Sequence, residues 1–170
     1  MRSKLKTIFG ILLTAAASMT SPAHAGFLNN YGDWSAFTSG KGKNLICYTA
    51  TAPTKSVGKY KKRSTVALVV SHGPTKKDVG IVRIDAGYTY KKKSSVVIII
   101  GKNTYKMFTD VDTAWAAKSK TDQALVTSMK AGSEIAVRGE SSRGTKTTDL
   151  YSLKGFTAAY KAISKACNVK

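Results

Sequence analysis

The chain has 170 residues with 28 Lys+Arg against 9 Asp+Glu, a formal net charge of +19 and a sequence pI of about 10.0. That length suits one domain around one core, and the scarcity of carboxylates and of histidine, two in all, argues against the common acid–base and zinc sites. So large a basic surplus predicts attraction to anionic surfaces, with strong salt dependence.

Arg2, Lys4 and Lys6 precede an apolar run over residues 8–17, and Ala23-His24-Ala25 offers the small-x-small pattern of a signal-peptidase site. Residues 1–25 therefore read as a signal peptide, and residues 26–170 as a single β-rich domain that is exported to the periplasm or secreted. The apolar run is too short to span a bilayer comfortably, and no integral membrane span is expected after cleavage. The exported part keeps 25 Lys+Arg against 9 Asp+Glu, a net charge of +16. Its first residues, 26–30, read as a short flexible lead-in.

From Tyr31 to about Ser152, short β-rich runs alternate with clusters of Gly, Pro, Ser, Asn and Lys. The runs are 33–38, 44–51, 64–71, 80–85, 94–100, 104–109, 135–140 and 147–153. They predict a mainly β fold, an antiparallel sandwich or barrel-like domain of about eight strands. Residues 96–100 are continuously apolar and β-branched, as in a strand covered on both faces, whereas Ile135-Ala136-Val137-Arg138 alternates like a half-buried one. Gly101-Lys102-Asn103 reads as a tight turn joining two paired strands. The stretch 52–63, with Pro53, Gly58 and many lysines, reads as a loop or an irregular edge.

Two short helices are expected, one of them C-terminal. Thr121 or Asp122 caps the first, which runs through Lys130 with Leu125, Val126 and Met129 on one face and Gly132 beyond its end. The second covers about 155–166, with Phe156, Ala159, Tyr160 and Ile163 at the spacing of an inward stripe. Cys47 and Cys167 are the two cysteines, and an oxidising compartment favours a disulfide between them over a pair of free thiols. Closing a loop of roughly 120 residues is worth about 4 to 5 kcal/mol in the chain-entropy estimate. There is no C-x-x-C pair for redox work.

Signals of catalysis are weak. His72, the one histidine after cleavage, sits in Ser71-His72-Gly73-Pro74 and reads as a turn or surface residue; no Gly-x-Ser-x-Gly elbow accompanies it. Asp110 and Asp112 alternate and would share a side if extended, an arrangement open to calcium or acid–base chemistry but more simply a strand end or turn. Gly139 and Gly144 bracket Ser141-Ser142-Arg143, a loop able to offer backbone N–H groups to an anion. No cofactor and no metal is expected.

The basic residues cluster as Lys59, Lys61, Lys62 and Arg63; Lys76 and Lys77; and Lys91, Lys92 and Lys93. All lie in predicted loops or strand ends, where they are candidate anion-binding residues. Tyr60, Tyr88 and Tyr90 are interleaved with them and suit stacking on a sugar or base, although edge lysines also serve to block strand-to-strand aggregation.

Tyr31-Gly32-Asp33-Trp34, Gly87-Tyr88, Ala114-Trp115, Ser128-Met129-Lys130-Ala131-Gly132, Ser141-x-Arg143-Gly144-Thr145 and Asp149-x-Tyr151-Ser152-Leu153-x-Gly155-Phe156, followed by Cys167, together resemble the invasion-associated locus B family of exported proteobacterial proteins. The resemblance implies a secreted or periplasmic β-rich domain, associated by name with host-cell invasion and hence virulence, with no catalytic residues to carry over. One common family form has a cysteine soon after the Gly-Asp-Trp, where this chain has Phe37 and Thr38, so an early short-range bridge is absent. On physical grounds Trp34 and Trp115 read as core aromatics whose indole N–H groups need partners, Gly144 and Gly155 as turn residues, and Asp149 as an acceptor of backbone hydrogen bonds. Arg143, Asp149 and Tyr151 are candidates for lining a groove.

The expected function is that of a non-enzymatic envelope or secreted protein binding an anionic surface: lipopolysaccharide, anionic lipid or a sulfated glycan, with nucleic acid not expected. The alternatives are an accessory envelope factor acting through an envelope or host protein and, less favoured, an unrecognised hydrolase.

Overall fold

In strand β10 (Glu134–Glu140), Ile135 and Val137 are buried and Arg138 is exposed, and in β11 (Lys146–Ser152) Thr147, Asp149 and Tyr151 are buried between half-buried neighbours. That period of two builds the molecule. The computed structural model describes residues 26–169; the expected signal peptide lies outside them. The remaining strands are β1 (Gly26–Tyr31), β2 (Trp34–Ser39), β3 (Ile46–Thr51), β4 (Lys55–Gly58), β5 (Ala67–His72), β6 (Val79–Asp85), β7 (Ser95–Ile100), β8 (Asn103–Asp110) and β9 (Thr113–Trp115). Helix α1 (Ser119–Ala131) precedes β10, and α2 (Phe156–Ala166) follows β11.

All eleven strands form one antiparallel sheet in the order β1-β2-β3-β5-β6-β9-β8-β7-β10-β11-β4. Its end strands, β1 and β4, do not pair, so the sheet is not closed. It nevertheless curls until strands far apart in that order meet: the Trp34 indole N–H donates to the Ser152 carbonyl at 2.9 Å, and the Asp33 N–H to the Lys154 carbonyl at 3.0 Å. The main core on the inner face includes Trp34, Leu68, Ile84, Ile98, Met107, Tyr151 and Phe156, and Ala36, Cys47 and Ile163 form a smaller cluster beside it.

The mainly β fold with two helices, one C-terminal, follows the sequence reading, but there are more strands than the eight runs predict. Residues 26–30 are no free lead-in: they make most of β1, paired with β2 through a bulge between Phe27 and Asn29. Within the stretch read as a loop or irregular edge, Lys55–Gly58 pairs with β11 as an edge strand. β9 has three residues, too few to show a period. On β7, Val96, Ile98 and Ile100 are buried while Val97 and Ile99 are half-buried, so only one face is fully covered. The β7–β8 hairpin pairs Ile100 with Asn103 as the Gly101 turn signal implies.

Helix α2 packs on β1, β2 and β3, burying Phe156, Ala159 and Ile163. It starts where Gly155 takes φ +92°; a Cβ there would run into the Tyr31 carbonyl, so no side chain fits. The Cys47–Cys167 disulfide joins β3 to the end of this helix across 120 residues, with Cα atoms 5.9 Å apart. Helix α1 starts earlier than Thr121, and neither Thr121 nor Asp122 caps it: Lys118 is its N-cap, without a side-chain hydrogen bond. Asp122 is instead buried and accepts the Val82 N–H at 2.9 Å, serving a β6 amide beyond the reach of β9 pairing. Burial raises its pKa despite that hydrogen bond. Gly132 does follow the helix, with φ −91° instead of a left-handed cap. No helix among the described residues is long and apolar enough to cross a membrane.

Two expectations about exposure are overturned. Trp115 is half-buried, its indole N–H donating to Thr113 Oγ1 at 2.9 Å and its ring facing Arg83. His72 is fully buried at the end of β5. Its Nδ1 lies 3.0 Å from the Gly80 N–H, which can only donate, so the ring proton sits on Nε2, 3.0 Å from Ser164 Oγ. The ring therefore donates to Ser164 and cannot take its proton as a general base would. Burial, with the Lys130 charge adding to it, lowers the His72 pKa from 6.5 to about 4.

Between those two values the unfolded chain binds more protons than the folded one, so this contribution to stability is complete above pH 6.5 and is lost as pH falls to about 4. The loss amounts to up to about 3 kcal/mol. In His72→Asn the side-chain oxygen can still accept the Gly80 N–H without titrating. Thermal unfolding at pH 7.5 and 4.5 is expected to show a smaller acid-induced drop in melting temperature for this variant than for the wild type.

Asp110 and Asp112 are not an extended pair. They flank Val111 in the β8–β9 turn, where Val111 is held at φ +49° and 67% exposed. A left-handed conformation costs a non-glycine residue about 1 to 2 kcal/mol, and Asn tolerates it better than a β-branched residue. Val111→Asn is expected to raise the melting temperature by about 3 °C in a thermal scan.

A basic cleft at one end of the curled sheet

After β4 the chain crosses the end of the curl where β6 finishes and β11 begins, and Arg63 turns inward there. Its side chain is 5% exposed and grips Asp149 with both arms of the fork, Nη1 to Oδ1 at 2.7 Å and Nη2 to Oδ2 at 2.8 Å. Its Nε and Nη2 also donate to the Ala86 carbonyl at 2.9 and 2.6 Å, and Ser56 Oγ donates to Asp149 Oδ1 at 2.6 Å. The guanidinium lies between the rings of Tyr60 and Tyr88, 5.1 and 4.9 Å from their centroids. Burial works against its charge, but the Asp149 hydrogen bonds and charge outweigh burial and raise the Arg63 pKa. This ion pair plugs the end of the core.

Above the plug lies a cavity of about 620 Å³. Lys59, Tyr60, Lys61, Lys62 and Arg63 line one side; Gly87, Tyr88 and Thr89 form the back; Ser141, Ser142, Arg143, Thr145 and Thr147 come from the β10–β11 hairpin. None of the lining residues is acidic. Three lysines and Arg143 therefore face a space rich in hydroxyl groups with no carboxylate to neutralise them locally. Such a concavity focuses positive potential more strongly than the same charges on a flat surface.

Most backbone N–H groups of the hairpin tip are already engaged within the fold. The Ser141, Ser142, Gly144 and Thr145 N–H groups donate to Thr145 O, Thr89 O, Ser141 O and Ser141 Oγ respectively, leaving none of the four for an anion. Tyr88 OH meets Thr147 Oγ1 at 2.7 Å, and burial raises the Tyr88 pKa, so the phenol stays neutral.

The structure puts two of the three basic clusters at one end and the third at the other. Lys91, Lys92 and Lys93 lie at the cleft end, beside the β10 terminus, where Lys91 Nζ pairs with Glu140 at 2.9 Å. Lys76 and Lys77 occupy the β5–β6 turn at the opposite end, about 20 Å away along a six-residue strand. The groove trio is divided too: Arg143 lines the cleft, while Asp149 and Tyr151 lie buried beneath it on β11. Among the described residues Asp149 takes no backbone N–H; its partners are Arg63 and Ser56. The Tyr151 hydroxyl is buried without a hydrogen-bond partner among the described residues, and burial raises its pKa. Tyr90 is also buried, leaving Tyr60 and Tyr88 as the aromatic rings of the cleft. Sequence reading singles out Thr145 only within the Ser141-x-Arg143-Gly144-Thr145 motif and does not select Thr89 or Thr147, whose only signal is alternation next to turn residues.

A model of the family described as Invasion associated locus B (IalB) protein matches residues 34–164, a span that includes every residue lining the cleft. No curated protein and no solved structure matches the chain.

Proposed function

Since this chain belongs to the invasion associated locus B family, we propose that it is an exported, non-enzymatic protein that captures an anionic component of the envelope or of a host cell in the basic cleft. The convergence of Lys59, Lys61, Lys62 and Arg143 on a cavity with no acidic lining carries this reading. The lysines supply mobile point charges, Arg143 a planar fork suited to phosphate or sulfate, and the hairpin hydroxyls neutral hydrogen bonds. The disulfide and the family are in keeping with an extracytoplasmic protein. Lipopolysaccharide, anionic lipid and sulfated glycans all present the required chemistry, and a part in host-cell invasion would follow from binding the last of these.

Two variants with equal charge change test the reading. Lys61→Ser/Lys62→Ser is expected to elute from immobilised heparin or lipopolysaccharide at clearly lower salt than wild type, and Lys76→Ser/Lys77→Ser close to wild type. Equal shifts in both would mean that the charge acts diffusely.

A second reading, an accessory envelope factor working through a protein partner, is favoured by the edge strand β1. It carries no charged residue and exposes Phe27, whose ring meets Phe37. Retention of a defined protein at high salt would favour that reading over the first.

A further inference from the structure

The cleft does not end at the β10–β11 hairpin. On the outer face of the same hairpin a second groove of about 490 Å³ is lined by Lys106, Arg138 and Lys146, together with Ser94, Ser95 and Thr148. Thr147 lines both cavities. Alternation explains the outer groove: Thr147 and Asp149 point into the core, so Lys146 and Thr148 point out, and Arg138 lies opposite Thr148 on one side and Val97 on the other. Val97 in turn pairs with Lys106. The register that sets Thr147 opposite Gly58 brings Lys146 next to Lys59, where the two cavities adjoin. The one carboxylate in the outer groove, Glu140, is already paired with Lys91.

Resting on the cleft reading above, we infer that the ligand is a linear polyanion, a sulfated or phosphorylated glycan chain, which enters the cleft and continues over the hairpin into the outer groove. Distance decides between this and a single anionic group. Lys59 beside β4 and Lys106 on β8 are four strands apart, about 19 Å at the usual strand spacing. Charges at the surface are screened over about 8 Å at physiological ionic strength, so one anion held by Lys59, Lys61 and Lys62 gains almost nothing from Lys106. A chain bearing charge at intervals engages both sets, the second at the high effective concentration set by the first.

The lining favours a glycan over nucleic acid. Single-stranded nucleic acid is held by free aromatic platforms, whereas Tyr60 and Tyr88 have their rings against Arg63 and no aromatic side chain lines the outer groove. Serine and threonine hydroxyls run through both cavities and match sugar hydroxyls.

Titration calorimetry on the purified, disulfide-bonded protein with a heparin-type disaccharide and decasaccharide tests this, using Lys61→Ser/Lys62→Ser and Lys106→Ser/Arg138→Ser. The wild type is expected to bind the decasaccharide at least about tenfold more tightly per chain than the disaccharide. The Lys106/Arg138 variant should lose that gain while keeping the disaccharide affinity; the Lys61/Lys62 variant should lose affinity for both. An unchanged decasaccharide affinity in the Lys106/Arg138 variant, with Lys61/Lys62 still required, overturns the continuous track and leaves the cleft standing. Failure of the wild type to bind either saccharide overturns both. Tighter binding of single-stranded DNA of equal charge overturns the glycan assignment.

Discussion

Arg63→Met is expected to cost the fold about 3 to 5 kcal/mol, measured by urea unfolding followed through tryptophan fluorescence. The size comes from what stays behind. Asp149 is 3% exposed, and without the guanidinium its carboxylate keeps only the Ser56 hydroxyl. The Ala86 carbonyl loses both of its Arg63 donors at the same time. Arg63→Lys should recover little, because one ammonium cannot reproduce two parallel bonds to Asp149 together with two to Ala86. Arg63→Met/Asp149→Leu should recover much of the loss, since replacing a buried pair by apolar side chains removes the desolvated charge along with its partner. A loss below about 1 kcal/mol for Arg63→Met would mean that the pair behaves like a solvated surface bridge. Because Arg63 forms the floor of the cleft, the same variant should also weaken anion binding, an effect to be read only where it remains folded.

Opening the disulfide has the other large effect. Cys47→Ala/Cys167→Ala, or reductant on the wild type, is expected to lower stability by about 4 to 5 kcal/mol, a shift of roughly 10 to 20 °C in melting temperature. For a domain whose total stability is of the order of 5 to 15 kcal/mol, that is enough to populate unfolded chains under mild conditions. The structural consequence is local first. Cys167 anchors the end of α2, and α2 packs on β2 and β3 and against the end of β1 at Tyr31 through Phe156, Ala159 and Ile163. Hydrogen exchange after reduction should therefore rise earliest in α2 and β1, and later in β10 and β11 at the cleft. A shift of only a few degrees would show that side-chain packing such as Phe156 against Trp34, ring centroids 4.8 Å apart, holds the helix without the bridge.

How far the sequence revealed this arrangement depends on the range of the interaction concerned. Each of the eight β-rich runs became a strand, and the 155–166 stripe became α2, because alternation and helical spacing are local signals. β1 escaped because Asn29 and Asn30 break its apolar pattern, and what makes it a strand is the pairing with β2. The lysine-rich β4 is held as a strand only by β11, about 90 residues later. Ser-His-Gly-Pro makes His72 read as a turn or surface residue, yet it is defined by Ser164, 92 positions away, and by Gly80.

The same holds for the site. Lys61 and Lys76 look alike in sequence, and only the sheet topology reveals that they sit at opposite ends of β5. Asp149 reads as an acceptor of backbone hydrogen bonds, whereas Arg63, 86 positions earlier, is what lies against it. Motif groups Arg143 with Asp149 and Tyr151, whereas the hairpin delivers it to the lysines instead.

The claim that anions are captured at this one end is tested most directly by amide NMR of the isotopically labelled protein titrated with a short sulfated saccharide at moderate salt. Saturable shifts are predicted at Lys59–Ser64, Gly87–Thr89 and Ser141–Thr147, with Lys76 and Lys77 unmoved. Shifts spread evenly over all the lysine-bearing loops, or centred on Lys76 and Lys77, would contradict it.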